Sequence, residues 1–346
     1  MSTPKRINLA LQGGGAHGAF TWGVLDRLLE APDIEIAGIS GTSAGALNGA
    51  ALKSGLIEGG AEVAKARLDE LWTRLGRVGD LRMPAWMAGF LPDAGLSAKL
   101  LTYSLPFSAA ESWSRMVSPY VYGPFYSNPL RPVVEQFDYD EVCAETGPAL
   151  FICATNVRTG KVRVFSGAEI STEAILASAC LPMMFQAVEI DDPETGARDA
   201  YWDGGYTGNP ALFPLFAPDL PDDIVVVNIN PMERTRLPVT PQEIQNRINE
   251  ISFNSSLLRE LRAIGFVQRL LEEGRVPEGA MKRVLLHMIA DDALMEQLSV
   301  ATKMVPLPSV LAELKAAGRQ AAETFLARHG DDLNHRQTAD LGTMFG

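Results

Sequence analysis

Gly41-Thr42-Ser43-Ala44-Gly45 follows an apolar run over residues 34–39 and precedes the small-residue stretch Ala46-Leu47-Asn48-Gly49-Ala50-Ala51. The order apolar run, glycine-flanked serine, small-residue stretch reads as strand, sharp turn, helix. A serine in such a turn is held clear of the sheet on strained backbone, with its hydroxyl exposed. Gly41 and Gly45 suit a turn in which a side chain would strike neighbouring backbone. The helix that follows aims its N-terminal N–H groups at the serine, favouring negative charge there. The pentapeptide by itself also fits an ordinary tight turn, so its meaning depends on what surrounds it.

Outward from the pentapeptide, strand and helix patterns alternate. Residues 7–11 read as a buried strand and residues 19–29 as a helix with Phe20, Val24, Leu25 and Leu28 on one side. Residues 60–75 read as an amphipathic helix with Val63, Leu68, Leu71 and Trp72 inward. The pattern resumes with strands over 149–154 and 162–165, a helix over 171–180 stopped by Pro182, and a strand leading into Asp203. A β-branched strand over 224–229, a long helix over 240–273, a late strand over 283–289 and a final helix over 309–328 complete the reading. Gly265 is expected to bend or interrupt the long helix, and the polar tail after Gly330 to fray. This alternation predicts an α/β fold, with a mainly parallel central sheet flanked by helices on both faces.

Residues 80–127 break the alternation. They hold nine of the 26 aromatic residues and five prolines, too apolar a mixture for a disordered linker. They read as a mostly helical, aromatic-rich cap or lid, or as a satellite core beneath a long loop. The 346 residues are therefore expected to form one domain, with a motif-bearing core over 5–230, this insertion, and a C-terminal helical extension over about 240–330.

Charge and cysteine content restrict the partners. The net charge of −12 argues against nucleic acid and against purely electrostatic docking on anionic lipid. Cys143, Cys153 and Cys180 are odd in number and lie in apolar stretches, as reduced core thiols would. No cysteine or histidine cluster suggests a metal, and no run approaches the about 20 apolar residues of a membrane span. A cytoplasmic protein without cofactor is expected, with transient membrane contact and a homodimer as open uses of its surface. Ile244, Ile248, Ile251, Leu258 and Leu261 form one stripe of the long helix, for which core packing is the expected use.

The glycine run Gly13-Gly14-Gly15-Ala16-His17-Gly18 turns the chain from the first strand into the first helix. With no bulky side chain over 13–15, its N–H groups can face a developing negative charge as an oxyanion hole. Gly13-x-Gly15-x-x-Gly18 also fits a dinucleotide fingerprint. That fold needs an acidic residue at the end of the second strand. Here the strand ends Ile39-Ser40-Gly41, straight into the serine turn. A phosphate loop is excluded, since no Gly-Lys-Ser/Thr follows.

A serine nucleophile needs a base. His287 sits inside an apolar strand, His329 and His335 in a polar tail, and His17 in the glycine loop. None suits the role. Asp203 stands at a strand end before Gly204 and Gly205, which presents its carboxylate on a turn. An aspartate bonded directly to Ser43 becomes the economical base, with its pKa raised by burial against Tyr201 and Trp202.

The ordered set of glycine loop, Gly41–Gly45 elbow and Asp203-Gly204-Gly205 resembles the bacterial patatin-like phospholipases, or lipid acyl hydrolases. Ala177-Ser178-Ala179-Cys180-Leu181-Pro182 through Phe185 is similar to the segment before that family's aspartate. The resemblance spans residues 7 to about 210. It implies a Ser43–Asp203 dyad, an acyl-enzyme intermediate and an oxyanion hole at Gly13, Gly14, Gly15 and Ala16. The implied substrate is an acyl ester or phospholipid. One departure stands out: many relatives carry arginine or lysine where this chain has His17, which is here a candidate substrate contact. The remaining readings are an esterase for a non-lipid or polyester substrate and a catalytically silent nucleotide- or lipid-binding scaffold.

Overall fold

The computed structural model describes residues 4–80, 118–277, 279–298 and 300–345. Eight strands form one sheet: β1 (Lys5–Leu11), β2 (Ile34–Thr42), β3 (Ala149–Asn156), β4 (Val162–Ser166), β5 (Val188–Asp192), β6 (Ala197–Asp203), β7 (Asp223–Asn228) and β8 (Leu285–Ala290). Their order is β5-β6-β3-β2-β1-β7-β8, with β4 also paired to β3. The stretch from β3 to β8 is parallel throughout. Strands β4, β6 and β5 form an antiparallel wing. The fold is thus α/β, a mixed sheet in which helices cover both faces.

Alternation along the central strands explains the two-sided cover. Ile7, Leu9 and Leu11 of β1 and Val225 and Val227 of β7 join one hydrophobic core. Ala10, Ile224 and Val226, from the intervening positions, join the other. Successive side chains point to opposite faces, so a strand apolar at every position must be buried on both. The first core is closed by helices α1 (Gly18–Leu28), α2 (Ala44–Gly59), α3 (Ala61–Asp80) and, from far along the chain, Pro308–His329. On the opposite face the helix Pro241–Glu272 supplies Leu257, Leu261 and Ile264. In chain order, Thr172–Ser178 is α4, Pro241–Glu272 is α5, Val300–Met304 is α6 and Pro308–His329 is α7.

Several expectations change. Gly265 does not interrupt α5, which runs unbroken for 32 residues behind a capping box of Thr240 and Glu243. Tertiary packing along the helix outweighs the cost of about 1 kcal/mol that one glycine carries. The stripe on α5 divides: Leu261 is buried, whereas Ile244, Ile248 and Ile251 are exposed, the last by 55%. The tail is not frayed. Leu333 is fully buried, and Asn334 donates to the Arg6 carbonyl and to Asp223. Strand β5 was not anticipated, because its sequence Val188-Glu189-Ile190-Asp191-Asp192 is too acidic to stand out. Most of the expected cap, residues 81–117, lies outside the described residues. Its end at 118–127 holds exposed Tyr120, Val121, Tyr122 and Phe125.

Candidate active site

Ser43 sits between β2 and α2 with φ 54° and ψ −119°, a left-handed conformation that costs a non-glycine residue of the order of 1–3 kcal/mol. The surroundings hold it there. The Ser43 N–H donates to Ser178 Oγ at 2.9 Å, and its carbonyl accepts from Ala46 and Leu47 in the first turn of α2. Gly45 leaves room for β1 to pass: a Cβ there would stand 2.1 Å from the Leu11 carbonyl oxygen. The sharp turn read from the sequence is therefore present, with the strain concentrated on the serine.

The register of β3 brings Asp203 to this point. On one side of β3, Cys153 pairs with Thr42, the residue before Ser43. On the other, the next residue, Ala154, pairs with Asp203. The two candidates thus lie at the same height of the sheet, separated by one strand. Asp203 is held through its backbone: its N–H donates to the Cys180 carbonyl at 2.8 Å, and its carbonyl accepts from Thr155 Oγ1 at 2.8 Å. Its Oδ1 accepts from the Gly205 N–H at 2.7 Å.

Asp203 is fully buried. Burial pushes its carboxyl pKa up to about 7, opposed by the Gly205 N–H and by the Ser43 side chain. Its Oδ2 has no partner of full hydrogen-bond geometry among the described residues, although the Ser43 hydroxyl is close enough to stabilise the charged form. Burial, with this carboxylate adding to it, raises the Cys180 thiol to about 12 and the Tyr206 hydroxyl to about 12. Both groups stay protonated beside it at neutral pH.

The glycine loop passes directly over the serine. A Cβ on Gly13 would stand 2.7 Å from Ser43 Cβ. Gly13, expected among the oxyanion donors, has its N–H engaged elsewhere: it donates to Asn209 Oδ1 at 2.7 Å. The N–H groups of Gly14, Gly15 and Ala16 carry no hydrogen bond among the described residues. Gly15 takes φ 59°, the one left-handed residue of the loop. Four donors were expected; three remain available.

His17 does not meet its expected role as a substrate contact. It is 1% exposed, and its Nε2 lies 2.8 Å from Thr302 Oγ1 of α6. Burial, with Lys303 and Arg234 nearby, drives its pKa well below the ordinary value, leaving a neutral imidazole. His287 is a packed core histidine as read, fully buried against Asp223 and Thr338.

Three buried amides that sequence reasoning passed over set the loop. Gln12 Oε1 accepts from the Ile229 and Asn230 N–H groups, and its Nε2 donates to Asn254. Asn230 Nδ2 donates to the Gly13 carbonyl at 2.8 Å. Asn209, six residues after Asp203, grips Gly13 by both its N–H and its carbonyl. A polar residue at the end of an apolar strand, as at Gln12 and Asn230, was the available signal. Nothing local distinguishes Asn209.

The arrangement can deliver a hydroxyl to a carbonyl carbon, accept its proton on a carboxylate of raised pKa, and offer N–H groups to the oxygen that becomes negative. No group of three or more candidate metal ligands exists among the described residues. Among them, too, no helix is long and apolar enough to cross a membrane.

The chain is similar to VipD from Legionella pneumophila, with 15% identity and a TM-score of 0.40 over 95% of this chain and 68% of that one. It is also similar to a chain of the ExoU–SpcU heterodimer from the type III secretion system of Pseudomonas aeruginosa. There identity is 17% and the TM-score 0.29, over 95% of this chain and 61% of that one, less than two thirds of its length. No curated protein matches the chain. The model of the patatin-like phospholipases matches residues 9–216, more than half of the chain and the whole of the site from Gly13 to Asn209. The chain therefore belongs to the patatin-like phospholipase family.

Proposed function

We propose that the protein is a serine acyl-ester hydrolase acting on lipid or phospholipid acyl esters through a Ser43–Asp203 dyad. One observation carries the reading. A serine held at φ 54° stands one strand away from a fully buried aspartate whose Oδ2 has no partner of full hydrogen-bond geometry among the described residues.

In this reading Asp203 takes the proton from Ser43 Oγ as that oxygen attacks the ester carbonyl carbon. The carbonyl oxygen becomes an oxyanion facing the N–H groups of Gly14, Gly15 and Ala16, each such donor being worth about 2.7–4 kcal/mol to the transition state. Collapse of the tetrahedral species breaks the bond to the alcohol, which leaves with the proton returned from Asp203. Water then attacks the acyl-enzyme, gives its proton to Asp203, and the carboxylic acid leaves as the proton returns to Ser43 Oγ. The pKa of about 7 suits both directions of transfer near neutral pH.

The test is stoichiometric labelling by a fluorophosphonate, with hydrolysis of p-nitrophenyl acyl esters and of phospholipid vesicles. The wild type is expected to label at Ser43 and to cleave both. Ser43→Ala should lose labelling and at least about 10³-fold of the hydrolysis. Undiminished hydrolysis by folded Ser43→Ala would overturn the proposal. Cleavage of non-lipid esters alone would move the substrate class while leaving the dyad in place.

A further inference from the structure

The loop that faces Ser43 carries no charge of its own, because His17 is buried and neutral. A cation reaches it from elsewhere. Helix α6 packs on the loop so closely that a Cβ on Gly15 would stand 2.3 Å from the Lys303 carbonyl oxygen. Lys303 Nζ donates to Asn230 Oδ1 at 2.8 Å, and Asn230 Nδ2 donates in turn to the Gly13 carbonyl. Two hydrogen bonds therefore connect the ammonium to the residue whose Cα adjoins Ser43.

The neighbouring cations are spent. Arg234 forms a paired contact with Glu250 and donates to the Glu296 carbonyl. Arg247 donates to the same Glu250 and to the carbonyls of Pro231 and Met232. Lys303 has no carboxylate within ion-pair distance among the described residues, and Asn230 takes only one of its three N–H donors. The side chain keeps some surface, yet its ammonium lies deep enough that burial lowers its pKa to about 8, so most of it is charged at neutral pH. The carboxylate whose charge reaches it, Glu250, is already shared by Arg234 and Arg247, so a ligand anion would offset much of the cost of burying this ammonium.

We infer that Lys303 is a specificity-determining residue that holds the phosphodiester of a glycerophospholipid while the adjoining acyl ester lies over Ser43. The inference rests on the hydrolase reading above. In such a lipid the phosphodiester stands a few covalent bonds from the ester carbonyl, and Lys303 is tied through Asn230 to the loop that faces Ser43. Lys303, from α6, would provide a charge that the loop itself lacks at His17.

The experiment compares wild type, Lys303→Gln and Lys303→Arg on a phosphatidylcholine vesicle and on a neutral diacylglycerol of the same acyl chains. The readout is the ratio of the two kcat/KM values, so a general loss of activity does not register. In Lys303→Gln the phospholipid-to-diacylglycerol ratio is expected to fall at least about tenfold, with substantial recovery in Lys303→Arg. An unchanged ratio would overturn the inference and leave the hydrolase reading standing. Inactivity of the wild type on both lipids would instead strike the hydrolase reading. A second measurement needs no variant: glycerol 3-phosphate should slow fluorophosphonate labelling of wild-type Ser43, and more so at low salt. Labelling indifferent to glycerol 3-phosphate at every salt concentration would also overturn the assignment.

Discussion

The parallel half of the sheet and its antiparallel wing contribute to one site by different means. Strands β1 and β2 run side by side and end at the same edge, so the glycine loop after β1 and the serine turn after β2 meet there as neighbours. Binding residues gather at the carboxyl ends of parallel strands for this reason. Asp203 belongs to the wing and reaches the site on β6, which runs against β3. The first arrangement follows from local chain order. The second depends on a register between strands separated by about 50 residues, and a slip of one residue would turn the carboxylate to the other face.

The largest expected effect comes from the wing. Asp203→Asn keeps the size of the side chain but removes the proposed base, and ester hydrolysis should fall by about 10²- to 10⁴-fold while the Ser43 turn stays intact. Full activity in that variant would mean that the wing only packs against the parallel half. Wild-type hydrolysis should rise about a hundredfold from pH 5 to pH 8 as a base with pKa of about 7 loses its proton. The stability effect has the opposite sign. The folded state binds this proton more tightly than the unfolded chain, so the contribution to stability is present at low pH and lost as pH rises through about 7. The gain in Tm of Asp203→Asn over wild type should accordingly be larger at pH 8 than at pH 5. An equal gain at both would contradict the raised pKa.

The parallel half is tested by Gly45→Ala. Its Cβ would collide with backbone at Leu11, which cannot move aside as a side chain can, and a loss of more than about 3 kcal/mol on urea unfolding is expected. Asn209 joins the two regions, since it follows the Asp203 turn and grips Gly13. Asn209→Ala should cost about 1–3 kcal/mol and lower kcat more than it raises KM, because a buried donor is left unpaired beside the loop. The smallest effect is expected far from both. Ile248→Ser on the exposed end of α5 should change stability by less than about 0.5 kcal/mol, whereas Leu261→Ala on its buried end should cost about 2–5 kcal/mol. A large loss at Ile248 would show that the outer stripe is covered in solution.

Legibility in the sequence followed the range of the interactions involved. The elbow, the glycine loop and the strands of the parallel half were readable, since each depends on residues within a few positions of one another. Asp203 stood out as the candidate base by elimination among the histidines and by family resemblance. Its burial and its row in the sheet were not readable. The division of the α5 stripe at Ile251 was invisible because one apolar period describes a helix face whether or not anything packs on it. The burial of His17 was invisible in the same way: a histidine in a loop facing a pocket and one turned into α6 have the same sequence.

The sequence by itself determined the α/β class, the strained serine and the bare backbone of the glycine loop. These are consequences of local sterics and of the two hydrophobic periods. Only the tertiary structure decided that Asn209 engages the Gly13 N–H, that Asp203 is buried one strand away from the serine turn across β3, and that Lys303 packs against the loop from α6. Each of those depends on strand register or helix packing between segments up to almost 300 residues apart, and burial then set the charge that each group carries.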